Sequence, residues 1–319
     1  MDDIGRAEQE PAGVLREREN VRAAIEWAVE HDPVIAAEIV IALDQYWPTS
    51  ALLDGIAIVE SLLERSADLP LALRARLLRS HGGLVILTDG DVDRGEARYR
   101  EALDLFRELG DDTSVVGLLA RFAVHASNRG DTTEARRLIA EVRSLNESVA
   151  NPIVEPQMLS SLGTIAHRDG DLQGALDFFR RSAETSSSIG FNLWALWQLD
   201  SQLEVEVELG LLSDAERTAR RGLELANRLE DRRLTCSLLT SLGLAAFRGG
   251  DLERAGALCG AVFEALPELP APISSALMAA AAPLRDCADE RFVEAVERGR
   301  SISLEETVAL VLESNQPEP

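Results

Sequence analysis

Aromatic residues make up only 4% of this 319-residue chain, and cysteine occurs three times. Cys236, Cys259 and Cys287 are odd in number and show no CxxC spacing. That excludes a disulfide framework and a cysteine-based zinc module. It leaves buried or half-buried free thiols on helices, in a reducing compartment. No apolar run approaches the roughly 18–20 residues that span a bilayer. The N-terminus carries Asp2 and Asp3 after Met1, acidic where a signal peptide would be basic, so the expected setting is cytoplasmic. There is no G-x(4)-G-K-[ST] phosphate loop, no Gly-rich nucleotide signature, and no Ser-His-Asp or Cys-His arrangement. The expectation is therefore a protein that is not an enzyme and takes no cofactor.

Basic residues are also scarce beside acidic ones, 32 against 55, for a net charge of −23. Nucleic-acid binding needs clustered cations that release counterions from the phosphate backbone. This chain by itself should bind neither nucleic acid nor membrane. The cations are arginines, which favour bidentate pairing with carboxylates.

What the chain does have is a repeat. Gly90, Gly130, Gly170, Gly210 and Gly250 stand 40 residues apart, and all but Gly210 are followed by Asp. Such fixed self-similarity is read before any local feature. A glycine past a helix end takes the left-handed conformation without steric cost, and the next Asp can cap the following helix. Five residues after each turn glycine stand Gly95, Ala135, Ala175, Ala215 and Ala255. Seven before it stand Gly83, Ala123, Gly163, Leu203 and Gly243. Small residues at these points let paired helices approach closely, and larger apolar residues fill the surrounding space.

The pattern L-G-x(6)-G-D-x(3)-A occurs as Leu162, Gly163, Gly170, Asp171, Ala175 and again as Leu242, Gly243, Gly250, Asp251, Ala255. It resembles the tetratricopeptide repeat over at least residues 76–266, although that repeat has about 34 residues. The resemblance implies an all-α fold, a right-handed superhelical solenoid of antiparallel helix pairs with a 40-residue period. Five pairs are expected over residues 71–269: 71–89 with 92–109, 113–129 with 132–148, 154–169 with 172–188, 192–209 with 212–229, and 232–249 with 252–266. Residues 1–11 read as disordered. Residues 12–70 read as a helix ending near Pro33 and a degenerate repeat with its turn at Pro48 and Ser50 and with Trp47 in the core. Residues 270–319 read as capping helices, with a capping box at Ser303 and Glu306 and a frayed end.

The two ends carry a second resemblance. Phe292, Ala295, Gly299, Arg300, Ser303, Leu304, Glu305, Glu306, Val308 and Ala309 match F-x-x-A-x-x-x-G-R-x-[LI]-S-L-E-E-A-V-A, with Thr307 in place of one Ala. That segment is similar to the end of LuxR-type transcriptional regulators with a STAND ATPase core. Residues 17–30, ERENVRAAIEWAVE, resemble the helix that follows the core in the same family. The resemblance implies a helical-repeat region that binds an inducer or a partner, flanked in the full regulator by an ATPase and a DNA reader. Neither a phosphate loop nor a basic recognition helix stands in this sequence. A free-standing tetratricopeptide adaptor is the alternative.

In the tetratricopeptide register, helix A lines the concave face through its second, fifth, ninth, twelfth and thirteenth positions. That assigns Ala120, Ser127 and Asn128 to the groove in the second repeat, and Gln157, Ser160, Thr164, His167 and Arg168 in the third. In the fourth it assigns Trp197, Asp200, Glu204 and Glu208, and in the fifth Thr240, Phe247 and Arg248. Trp194 and Trp197 stand three apart beside Leu203, which breaks the small-residue rule. With Arg121, His167 and Arg168 they form the expected centre of a groove for a protein or peptide, or for a small effector. The bland alternative is that Leu203 repacks one helix pair and one tryptophan is core. In the segment 204–208, E-V-E-V-E, successive acids lie about 200° apart on a helix, so they do not all converge. His31, His81, His125 and His167 fall at different repeat positions and do not assemble the three or four ligands that zinc needs.

Overall fold

A computed structural model describes residues 17–43, 52–65, 69–89 and 91–313. The expected features at residues 1–11, Trp47, Pro48, Ser50, Gly90 and 315–319 lie outside these. Among the described residues the chain is all-α. Its early helices are α1 (Arg18–His31), α2 (Pro33–Ala42) and α3 (Leu52–Glu64). The repeats follow as α4 (Leu71–Asp89) with α5 (Val92–Leu109), α6 (Asp112–Arg129) with α7 (Thr132–Val149), and α8 (Val154–Arg168) with α9 (Leu172–Ser188). Then come α10 (Asn192–Glu208) with α11 (Leu212–Leu229), and α12 (Arg232–Arg248) with α13 (Leu252–Ala265). The tail holds α14 (Ala271–Ala280), a short turn α15 (Ala282–Arg285), α16 (Glu290–Arg300) and α17 (Leu304–Glu313). The single long tail helix expected from about Ile273 breaks at Ala281, because Pro283 in the next turn cannot continue the hydrogen-bond ladder.

The turn-glycine junctions share one backbone geometry. Gly130, Gly170, Gly210 and Gly250 have φ between 73° and 85°. At Gly130 the glycine N–H bonds back to Ser127 C=O at 3.0 Å, and the Asp131 N–H bonds to Ala126 C=O at 2.9 Å. This pair of bonds satisfies carbonyls that the helix end leaves open. The following Asp then starts the next helix. Asp131, Asp171 and Asp251 each accept from the N–H three residues on, at 2.9–3.1 Å. Leu211 makes no such bond. A second set of junctions repeats at the same period. Gly110, Ala150, Gly190 and Glu230 all have φ from 52° to 74°, although two of them carry a side chain.

Two compact units divide the chain: Met1–Ile165 with Thr185–Phe191, and Ala166–Glu184 with Asn192–Pro319. In the first, Ile25 and Ala28 of α1, Ala36, Ala37 and Val40 of α2, and Val59 and Leu62 of α3 pack with Leu73 and Leu77 of α4. A neighbouring cluster joins Tyr99, Leu103 and Phe106 of α5 to Val116, Leu119 and Ala123 of α6 and to Ala135, Leu138 and Val142 of α7. The close approach of α4 and α5 runs through Gly82 rather than the expected Gly83. A Cβ on Gly82 would stand 2.7 Å from Gly95 O, whereas one on Gly83 would meet only the Tyr99 hydroxyl, at 3.2 Å.

In the second unit, Leu196, Leu199 and Leu203 of α10 pack with Ala215, Ala219 and Leu223 of α11 and with Leu238, Leu239 and Leu242 of α12. Leu277 of α14 and Leu304, Val308 and Val311 of α17 close the same cluster. The capping box at the start of α17 is reciprocal: Ser303 N–H donates to Glu306 Oε2 at 3.0 Å, and Glu306 N–H donates to Ser303 Oγ at 3.2 Å. Helix α13 packs backbone to backbone against α16. A Cβ on Gly260 would lie 2.2 Å from Val296 O, and one on Gly256 2.5 Å from Phe292 O.

Two stability predictions follow from these contacts. Gly260→Val should destabilise the chain in urea titrations followed by circular dichroism. Overpacking against fixed backbone costs about 1–3 kcal/mol, which outweighs the ~1 kcal/mol or less of helix propensity regained. An unchanged midpoint would refute the packing. Glu230→Gly should instead stabilise by up to ~1 kcal/mol, since a left-handed Glu is strained. The mid-helix control Glu224→Gly should lose about 0.5–1 kcal/mol.

Candidate functional site

Helix α10 is buried on nearly every side. Its partly or fully exposed positions include a stripe of Trp197, Asp200, Glu204 and Glu208, spaced three, four and four residues apart. That spacing stacks side chains along one face of a helix. Glu206 points the other way, as the 200° step requires. It is buried and accepts from Gln202 Nε2 at 2.7 Å, and Gln202 Nε2 in turn lies 3.1 Å from Thr218 Oγ1. The segment 204–208 therefore splits into two exposed acids and one core acid.

Helix α12 supplies the neighbours of the stripe. Ser237 Oγ donates to Asp200 Oδ2 at 2.9 Å. The Arg233 guanidinium sits 6.0 Å from the centre of the Trp197 ring, within cation–π range. Arg248 donates to the Val207 carbonyl. At the far end of the stripe His167 Nε2 lies 2.9 Å from Glu208 Oε1.

The electrostatics of this face are those of crowded like charges. Burial pushes the Asp200 carboxyl up to about 6, against the opposing pull of the Ser237 hydroxyl and Arg233. Glu204 is pushed up to about 8, by burial first and then by the Asp200 and Glu208 carboxylates. Its side chain nevertheless reaches solvent, so screening limits how far this shift translates into stability. Two carboxylates one helical turn apart cannot both ionise freely unless a cation joins them.

Not every residue expected in the groove is there. Trp194 is 2% exposed; it packs the interior, with its ring centre 5.1 Å from that of Trp197, and corrects the expectation that both indoles face a ligand. Ala120, Ser127, Gln157, Ser160 and Thr240 are buried as well, because helix A is enclosed on more sides than the register allows. His167, Trp197, Asp200, Glu204 and Arg248 belong to the second unit together with the exposed Arg168. Arg121, half-buried, and Asn128, exposed, belong to the first.

Arg233 and Ser237 were missed. The period could have found them, since they follow Trp197 and Asp200 by 36 and 37 residues, close to one repeat. Also missed was Glu96, a buried carboxylate in the first unit. It accepts from Arg100 at 2.7 Å and from Arg129, and lies 3.4 Å from His125 Nδ1. Burial works to raise its pKa, but the adjacent His125 imidazole and the Arg129 guanidinium win and hold it down to about 2. Arg129 lies 33 residues further on, on α6, so this cluster ties α5 to α6. Cys236 and Cys259 are buried, and burial pushes both thiols up to about 12, which leaves them unreactive. Among the described residues no helix is long and apolar enough to cross a membrane, and no three His, Cys, Asp or Glu side chains gather as a metal site would require.

Neither a family model nor a curated protein matches this sequence. Among solved structures the chain is similar to BtubC (BKLC) from P. vanneervenii, at 15% identity and a TM-score of 0.48, over 76% of this chain and 95% of that one. It is also similar to a circular tandem repeat protein with novel repeat topology and enhanced subunit contact surfaces, at 16% identity and a TM-score of 0.25, over 95% and 89%.

The raised carboxyls set a pH dependence. Folded Glu204 keeps its proton at pH values where the unfolded chain has released it. Stability therefore falls as pH rises from the ordinary carboxylate range toward 8. Glu204→Gln should leave the melting temperature unchanged at pH 4 and raise it by a few degrees at pH 8. Equal effects at both pH values would count against crowding at this position.

Proposed function

We propose that this chain is a non-catalytic helical-repeat scaffold and sensor, and that the α10–α12 face of its second unit receives a basic peptide segment of a partner protein. The carrying observation is the alignment of Asp200, Glu204 and Glu208 beside the half-exposed Trp197. Burial first, and then the neighbouring Asp200 and Glu208 carboxylates, make Glu204 hold a proton that an incoming guanidinium or ammonium would displace. Trp197 already carries one guanidinium near its ring, that of Arg233, and suits a second cationic side chain for the same electrostatic reason. The net charge of −23 steers basic segments toward the chain and repels nucleic acid.

In biological terms the reading is the regulatory region of a cytoplasmic LuxR-type regulator with a STAND ATPase core, supported by the two terminal segments that resemble that family. Ligand binding would act by favouring one of two arrangements of neighbouring domains, which requires different affinity for each. One observation favours the adaptor alternative. Phe292, Ala295, Gly299, Leu304 and Val308 are all buried, and Ser303 with Glu306 caps α17, so the tail motif has a packing role that needs no attached ATPase. A phosphate-loop motif encoded upstream of Met1 separates the two readings.

Fluorescence anisotropy with a labelled arginine-rich nonapeptide tests the binding face. Affinity should rise from pH 6 to pH 8 as the carboxyls ionise, fall with salt, and drop about tenfold in the Glu204→Gln, Glu208→Gln double variant. A glutamate-rich control peptide should not bind. Binding that is indifferent to both substitutions would remove the proposal, as would binding of a simple diamine with equal strength.

A further inference from the structure

The first unit contains an open cavity of about 390 Å³ lined by α3, α4 and α5. That volume is within the ~300–1,000 Å³ typical of small-molecule sites. Leu63 and Leu78 provide apolar wall, and His81 reaches the cavity from α4 while being fully buried, at 0% exposure. Neither of its ring nitrogens has a hydrogen bond; Nε2 lies 3.2 Å from Glu60 Oε1 but out of line for one. Both nitrogens lie beneath the cavity surface, so His81 shapes the wall rather than offering it a donor or acceptor. Burial, seconded by Arg98 and Arg94, holds its pKa below the ordinary value while Glu60 opposes them, so one nitrogen donates and the other accepts at neutral pH.

The charges around the cavity are of both signs, and some are already spent. Glu60 accepts from Arg94 Nη2 at 2.7 Å, and Arg98 donates to Glu101 at 2.9 Å. Two lining side chains remain, Arg74 on α4 and Glu64 on α3, both exposed and neither with an ion pair among the described residues. An anion alone would face Glu60 and Glu64; a cation alone would face Arg74 and Arg98. A molecule bearing both charges meets neither penalty.

We infer that this cavity binds a small zwitterion of the free amino-acid type. Its carboxylate is held by Arg74, its ammonium by Glu64, and its apolar part by Leu63 and Leu78. The site belongs to a different unit from the peptide face proposed above, so either can fail alone.

The test uses the full chain and the twenty free amino acids as probes, by saturation-transfer NMR and then calorimetry. At least one should bind. Its affinity should fall tenfold or more in Arg74→Met and in Glu64→Gln, both exposed positions whose loss leaves the fold intact by circular dichroism. The N-acetyl and amide derivatives, each missing one charge, should lose affinity similarly. Binding should persist in Glu204→Gln. Absence of binding at millimolar concentrations overturns the inference, and so does binding that survives Arg74→Met and Glu64→Gln. Binding abolished by Glu204→Gln would place the ligand on the α10–α12 face and overturn it equally.

Discussion

The structure depends on one junction used repeatedly, a residue with left-handed backbone followed by a residue that caps the next helix. The left-handed residue turns the chain back and satisfies the last carbonyls of one helix; where an Asp follows it, as at Asp111, Asp131, Asp171, Asp231 and Asp251, that Asp caps the next. Such short junctions bring α4 against α5 and α6 against α7 in the first unit, and α10 against α11 and α12 against α13 in the second. Because the junction recurs every 20 residues in alternating form, at Gly110, Gly130, Ala150, Gly170, Gly190, Gly210, Glu230 and Gly250, helix lengths are nearly constant and equivalent side chains recur one repeat apart.

That constancy shapes the polar chemistry. Bonds between helices join residues 33 to 41 positions apart: Glu96 to Arg129, His167 to Glu208, Asp200 to Ser237, and Glu216 to Arg254. Some have become structural. Glu96 is buried and fully engaged, and removing a partner would leave an uncompensated charge inside. Others stay at the surface and incompletely satisfied. The stripe on α10 has three acids along one face, with the Ser237 hydroxyl on Asp200 and the His167 ring against Glu208. The same repeating geometry therefore produces a buried clamp around Glu96 and a surface row of acids on α10.

Much of the fold was readable because its determinants are local. The glycine and aspartate of each turn act on backbone within four residues, so helix limits such as Leu71–Asp89 and Leu212–Leu229 agree with their spacing. Ala150 and Glu230 escaped notice because a residue that tolerates strain leaves no mark in composition. Gly82 escaped because either of two adjacent glycines could face α5, and only the rotation of α4 selects between them. The candidate site was half readable. Asp200, Glu204 and Trp197 follow from helical spacing on one face. The burial of Trp194 does not, since Trp194 and Trp197 are indistinguishable by spacing and differ only in what packs beside them.

Sequence alone determined the helical class, the period, the junctions and the acidic character, since each arises from residue identity and short-range geometry. Tertiary structure decided which face of each helix is enclosed, which glutamate is core and which is exposed, and that Arg74, Glu64 and His81 border one cavity. Burial is a property of neighbours remote in sequence. A carboxylate or imidazole takes its charge state from their density and sign, and no local pattern encodes that.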